Sequence, residues 1–101
     1  MIRERAIAFE ASKPHFPNYV RMQFDPVRKR FAVLGPERVY WPDDVTVDIL
    51  KLCDGHRTIS EISARLAEDY TAPVETIQAD VLEFVQSWTD LHLLKLQRLE
   101  N

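Results

Sequence analysis

The chain has 101 residues, 46% hydrophobic and 29% charged, with a formal net charge of −3 and a sequence pI near 5.5. One soluble domain with its own core is expected, and the mild acidity excludes a general attraction to nucleic acid or to an anionic membrane. The single Cys53 rules out an internal disulfide or a thiolate cluster, which points to a reducing, cytoplasmic setting.

Residues 1–13 mix charge with alanine and read as an N-terminal arm, free to be mobile, ahead of a single domain over 14–101. No signal-peptide core stands in the first ten residues, and no run approaches the ~18 apolar residues of a membrane span. Pro14, Pro17 and Asn18 force an extended or turning path. From Tyr19 to Phe24 apolar and polar residues alternate, with Val20, Met22 and Phe24 on one face, which is the period of a half-buried strand. Asp25-Pro26 opens a hairpin connection, and Phe31–Leu34 is the returning strand. Its basic tip, Arg28-Lys29-Arg30, reads as a solvated turn. Gly35-Pro36 breaks that strand, and a third follows at Glu37–Trp41, closed by Pro42. Prolines at both ends of a short strand belong at a sheet edge, where the outer row of N–H and C=O groups is left without a ladder. Tyr40 and Trp41 fall on its opposite faces.

Past Pro42 the period becomes helical. Asp43 or Asp44 can cap a first helix through Val45, Ile49, Leu50 and Cys53, with Gly55 as its left-handed terminator. Thr58-Ile59-Ser60-Glu61 is a capping box for a second helix burying Ile59, Ile62, Leu66 and Tyr70. Pro73 suits the first position of a third helix, whose apolar stripe is Val74, Ile77, Val81, Phe84, Val85 and Trp88. Leu91, Leu93, Leu94 and Leu96 close the domain. The predicted fold is α+β: a three-stranded antiparallel meander followed by three helices, like a winged helix-turn-helix.

The chain is poor in convergent reactive groups. Gly35 and Gly55 are too far apart for a phosphate loop, and there is no serine elbow. Cys53 and His56 are too few for a closed zinc site. Neither catalysis, nor a metal, nor a cofactor is therefore expected. The alternative function is a winged helix-turn-helix DNA-binding regulator. Against it, the third helix carries Glu75, Asp80, Glu83 and Asp90 and no Lys or Arg, so it would repel the phosphates it must approach. An edge strand beside surplus aromatic residues favours strand addition by an extended peptide.

A resemblance supports that reading. Phe31-Ala32-Val33-Leu34-Gly35-Pro36-Glu37-Arg38-Val39, then Ile49-Leu50-Lys51-Leu52-Cys53-Asp54-Gly55 with Thr58–Ile62, resemble the PqqD family. Ala67, Tyr70, Pro73, Asp80-Val81 and Phe84 follow in register, so the likeness spans roughly Pro14 to Leu96. It implies a non-catalytic peptide chaperone of pyrroloquinoline quinone (PQQ) biosynthesis and a recognition element for ribosomally made, later modified peptides (RiPPs). The implied partners are a PqqA-like precursor peptide and a PqqE-like radical S-adenosylmethionine enzyme. Carried over, the peptide would pair with Glu37, Arg38, Val39, Tyr40 and Trp41 and pack on Ile77, Val81, Phe84, Val85 and Trp88. The chain departs from the family pattern at Pro42, usually apolar; at His92, commonly the glycine that ends the last helix; and at Trp88, often leucine.

Overall fold

The computed structural model describes residues 5–97. The outer ends of the expected arm and domain, residues 1–4 and 98–101, lie outside the described residues. In chain order the elements are β1 (Pro14–His15), β2 (Arg21–Asp25), β3 (Arg30–Leu34), β4 (Val39–Tyr40), α1 (Asp44–Lys51), α2 (Ile59–Tyr70), α3 (Val74–Asp90) and β5 (Lys95–Leu96). The meander is β2-β3-β4, antiparallel throughout, with Met22, Val33 and Tyr40 in register across one face. That face meets the helices. Val20, Val33, Ile49, Leu50, Ile59, Ile62, Leu66, Val81, Val85, Leu93 and Leu94 form one buried cluster. The α+β order of three strands and then three helices is the one expected.

Local chemistry explains the helix boundaries. The Asp43 carboxylate accepts the Thr46 N–H at 2.8 Å and caps α1, so of the two candidate aspartates Asp43 is the cap. Its carboxyl is held below the usual range by that same backbone hydrogen bond. The capping box of α2 is complete: Glu61 N–H donates to Thr58 Oγ1 at 3.0 Å, and Thr58 N–H donates to Glu61 Oε1 at 2.9 Å. Pro73 stands one place earlier than expected, at the N-cap of α3. His92 adopts φ 62°, the left-handed conformation that glycine most readily takes just past a helix end.

Four expectations are corrected. The third strand is shorter than Glu37–Trp41, because Gly35 N–H donates to Arg38 O at 3.0 Å and folds Pro36 and Glu37 into a tight bend. Gly55 does not end α1, which stops at Lys51. Its φ of 82° instead turns the chain against β1, where an added Cβ would meet His15 Cβ at 3.3 Å. Tyr70 is exposed, its hydroxyl donating to Asp48 across to α1. Residues 14–15 and 95–96 form an additional two-stranded sheet, so the C-terminal leucines close the domain partly as a strand.

As far as it is described, the segment expected as an arm lies along the helices. Gln86 joins it to α3, accepting Ala8 N–H at 2.8 Å and donating to Ala6 O at 3.0 Å. Arg5 pairs with Asp90 at 2.6 Å, and Ser12 and Glu10 carbonyls accept the first N–H groups of α2.

Candidate functional site: an open sheet edge and its groove

The outer margin of β4 pairs with no strand among the described residues. Hydrogen-bonded and non-bonded pairs alternate along an antiparallel ladder. Gly35 and Arg38 form a bonded pair. The next pair, Leu34 and Val39, is then non-bonded, and Val33 and Tyr40 are bonded again. The N–H and C=O of Val39 therefore face outward, and the same alternation carried one residue past β4 turns those of Trp41 outward too. The Trp41 carbonyl already accepts Arg30 Nη2 at 2.9 Å. Val39 is 50% exposed and Trp41 is 37% exposed, so the margin is open to an incoming chain.

On the helix side of this margin the rings come together. Tyr40 lies 6.0 Å from Trp88, centroid to centroid, and Trp88 lies 5.0 Å from Phe84 on the next turn of α3. All three are half-buried and pack against the core. One end of the groove opens into a hollow of about 490 Å³ between the Gly35–Arg38 bend, Tyr19, Tyr40 and residues 91–93. Toward the start of α3, Ile77 helps line a smaller hollow of about 100 Å³ with Val45 and Tyr70.

The residues singled out from the sequence divide accordingly. Val39, Tyr40, Trp41, Phe84 and Trp88 gather around the open margin. Glu37 and Arg38 are exposed on the bend at its mouth, and Ile77 is half-buried in the separate hollow among α1, α2 and α3. Val81 and Val85 are 1% and 0% exposed, so their expected role as contact residues is corrected: they are core beneath the groove floor. A helical stripe signals one apolar face but does not say which half of it another element covers.

The opposite face of the sheet holds what the sequence reading missed. Arg28 and Arg30, expected at a solvated turn, fold back over Trp41, their guanidinium carbons 5.0 and 5.4 Å from its ring centroid. Together with Gln23, Asp25, Ala32, Leu34 and Val39, Arg28 and Trp41 line a shallow hollow of about 370 Å³. Strand parity could have flagged Arg30, which shares a face with Ala32 and therefore with Trp41.

Elsewhere the polar groups serve structure. Cys53 Sγ donates to Ile49 O at 3.3 Å, and burial, with a smaller contribution from the Asp54 charge, pushes the thiol up to about 12. It is not a thiolate at neutral pH. No group of three or more His, Cys, Asp and Glu among the described residues could hold a metal ion. No helix among them is long and apolar enough to cross a membrane. The acidic residues of α3 are exposed, with Asp90 engaged by Arg5.

A helix-backed sheet whose β4 margin is bare and lined by rings has the build of a module that holds another chain. Comparisons with known proteins agree. The family model for coenzyme PQQ synthesis protein D (PqqD) matches residues 30–94. The PqqA binding protein of Rhodopseudomonas palustris strain BisB5 is 46% identical over 81 residues, covering 80% of this chain and 79% of that one. That of strain TIE-1 is 41% identical over 90 residues, covering 89% and 88%. Among solved structures, the PqqD portion of Methylobacterium extorquens PqqCD superposes with a TM-score of 0.74 at 35% identity, covering 90% of this chain and 96% of that one. It is characterised as a functional, stand-alone RiPP recognition element. PqqD from Xanthomonas campestris gives 0.56 at 28% identity, covering 95% and 99%. The chain belongs to the PqqD family.

Proposed function

We propose that this protein is a non-catalytic chaperone of PQQ biosynthesis that binds the precursor peptide PqqA as an added strand on β4 and presents it to the radical S-adenosylmethionine enzyme PqqE. The relatives named as PqqA binding proteins support the cargo. The outward N–H and C=O of Val39, backed by Tyr40, Phe84 and Trp88, carry the mode of binding. In this reading the peptide pairs with Val39 and Trp41, runs past Glu37 and Arg38, and lays alternate side chains on the Tyr40–Trp88–Phe84 rings. Ile77 meets its far end, and Val81 and Val85 act from beneath.

The two-residue strand also apportions the energy. The N–H and C=O of Val39 and the N–H of Trp41, at a net ~0.5–1.5 kcal/mol each, fall short of the ~8 kcal/mol of a micromolar complex. The rings have to supply the remainder, so loss of either contribution weakens binding severely.

The test is an amide-resolved NMR titration with PqqA. Shifts are expected at Val39, Trp41 and the Phe84–Trp88 turn, and the Val39 amide should become protected from exchange. Shifts confined to the opposite side of α2, with Val39 still exchanging freely, would reject strand addition.

A further inference from the structure

The strand-addition reading has a consequence for the other face of the guest. Residues directly opposite one another in a ladder share a face, so the guest residue paired with Trp41 lays its side chain beside the Trp41 ring. Two guanidinium groups already converge there, at 5.0 and 5.4 Å from the ring centroid. The nearby Asp25 carboxylate is engaged by Arg28 at 2.9 Å, and among the described residues the Arg30 guanidinium has only the Trp41 carbonyl, at 2.9 Å. Lys29 stands exposed between the two arginines in sequence.

This charge is local. Residues 19–42 carry Arg21, Arg28, Lys29, Arg30 and Arg38 against Asp25 and Glu37, although the whole chain is at −3. Across the groove α3 carries Glu75, Asp80, Glu83 and Asp90 and no base. A guest on β4 meets the two guanidinium groups on its outward face and the Tyr40, Phe84 and Trp88 rings on its inward face.

We infer that the Trp41–Arg28–Arg30 platform is a specificity subsite for a carboxylate side chain of the bound peptide. The carboxylate belongs to the residue that pairs with Trp41 and alternates with the apolar residues entering the groove. The arginine forks supply the donors, and the indole face keeps them spread and partly dehydrated. The inference rests on strand addition to β4. It makes Arg28 and Arg30 specificity determinants that set the register of the peptide.

A double-mutant cycle tests it, using calorimetric titration of synthetic PqqA. Each Glu and Asp of the peptide is replaced in turn by Gln or Asn, and each peptide is titrated into the parent protein and into the Arg28→Gln/Arg30→Gln variant. One carboxylate should cost about three- to ten-fold in affinity with the parent protein. That cost should vanish in the double variant and shrink in ~0.5 M salt, where screening is short-ranged. The double variant alone should bind the parent peptide more weakly by the same factor. Because the cycle reads coupling, a general loosening of Trp41 would lower every affinity equally and would overturn the inference, as would an unchanged affinity in the double variant. Val39→Pro separates the two readings. If it abolishes binding while the cycle shows no coupling, the subsite is wrong and strand addition stands; if it leaves binding intact, strand addition is wrong and the subsite falls with it.

Discussion

Two short strands of this chain look alike in sequence and have opposite fates. β1 (Pro14–His15) and β4 (Val39–Tyr40) are each two residues long and set among prolines, Pro14 and Pro17 for one, Pro36 and Pro42 for the other. β1 is closed on both sides. β5 pairs with one margin, and Gln97 N–H extends that seam to Lys13 O at 2.8 Å. On the other margin His15 bridges Asp54, and Gly55 N–H donates to Pro14 O at 2.9 Å. β4 has β3 on one side and no strand among the described residues on the other. Prolines keep both strands short, but whether a margin is occupied depends on what the rest of the chain brings to it. Gly55, lacking a Cβ and held at φ 82°, is what lets the chain approach β1.

The sharpest way to break the contrast is to put a proline on the open margin. In Val39→Pro the lost N–H points away from β3, so the meander keeps its bonds while a guest loses a donor and meets a ring. Affinity for PqqA should fall ~30-fold or more, since an unpaired buried carbonyl on the guest adds to the missing bond. The melting temperature should change by only a few degrees. A variant that unfolds, or that binds as before, contradicts the assigned ladder phase.

Gly55→Ala attacks the closed strand instead. The new Cβ stands 3.3 Å from His15 Cβ, at a φ that L-residues avoid. A stability loss of about 1–2 kcal/mol is expected, read as a lowered denaturation midpoint. Peptide affinity at a temperature where the variant is folded should stay within two-fold, about the error of such a titration. Cys53, buried beside this seam with its thiol pushed up to about 12, reports on it independently. Its labelling by a thiol reagent should quicken in Gly55→Ala and not in Val39→Pro.

Trp88→Leu tests what backs the open margin. Leucine keeps the core side of the position filled but removes the ring that faces Tyr40 and Phe84. Affinity should drop by about three- to ten-fold, in line with an aromatic contact of ~0.5–1.5 kcal/mol. An affinity equal to the parent's would mean that Trp88 only fills the core.

Much of the fold was legible because its signals are local. The alternation in β2, the proline punctuation around β4, the Thr58–Glu61 box and the 3.6-residue stripe of α3 each lie within one element. The β1–β5 pair was not legible. Its two-residue strands carry no period, and its partners are some eighty residues apart in the chain. The candidate site's placement in the fold was half legible for the same reason. Val39, Tyr40, Trp41, Phe84 and Trp88 follow from an edge strand and an aromatic surplus. Separating Phe84 and Trp88 from the buried Val81 and Val85 requires knowing which helix face the sheet covers. Strand parity offered Arg30 alone; the return of Arg28 onto Trp41 is a tertiary choice of a long side chain, which a turn motif cannot announce.

Acid should distinguish the two strands more gently than any substitution. The loop that closes β1 is held by the Asp54 carboxylate, which accepts the His56 and Arg57 N–H groups at 2.9 and 3.1 Å. Its pKa is lowered chiefly by the hydrogen bond from His56, which outweighs a burial penalty and is helped by the Arg57 N–H and charge. The folded protein therefore takes up this proton less readily than the unfolded chain. The stabilisation is complete above the ordinary aspartate range near ~4 and is lost as pH falls through the lower native value. The ladder between β3 and β4 is backbone pairing, with Arg30 on the Trp41 carbonyl, and no carboxylate is needed to hold it. Amide exchange corrected for its intrinsic pH dependence should show Gly55 N–H losing protection below about pH 4 while Tyr40 N–H keeps it. Equal loss at both positions would mean that acid opens the domain as one unit, and the seam around β1 would then have no separate stability to lose.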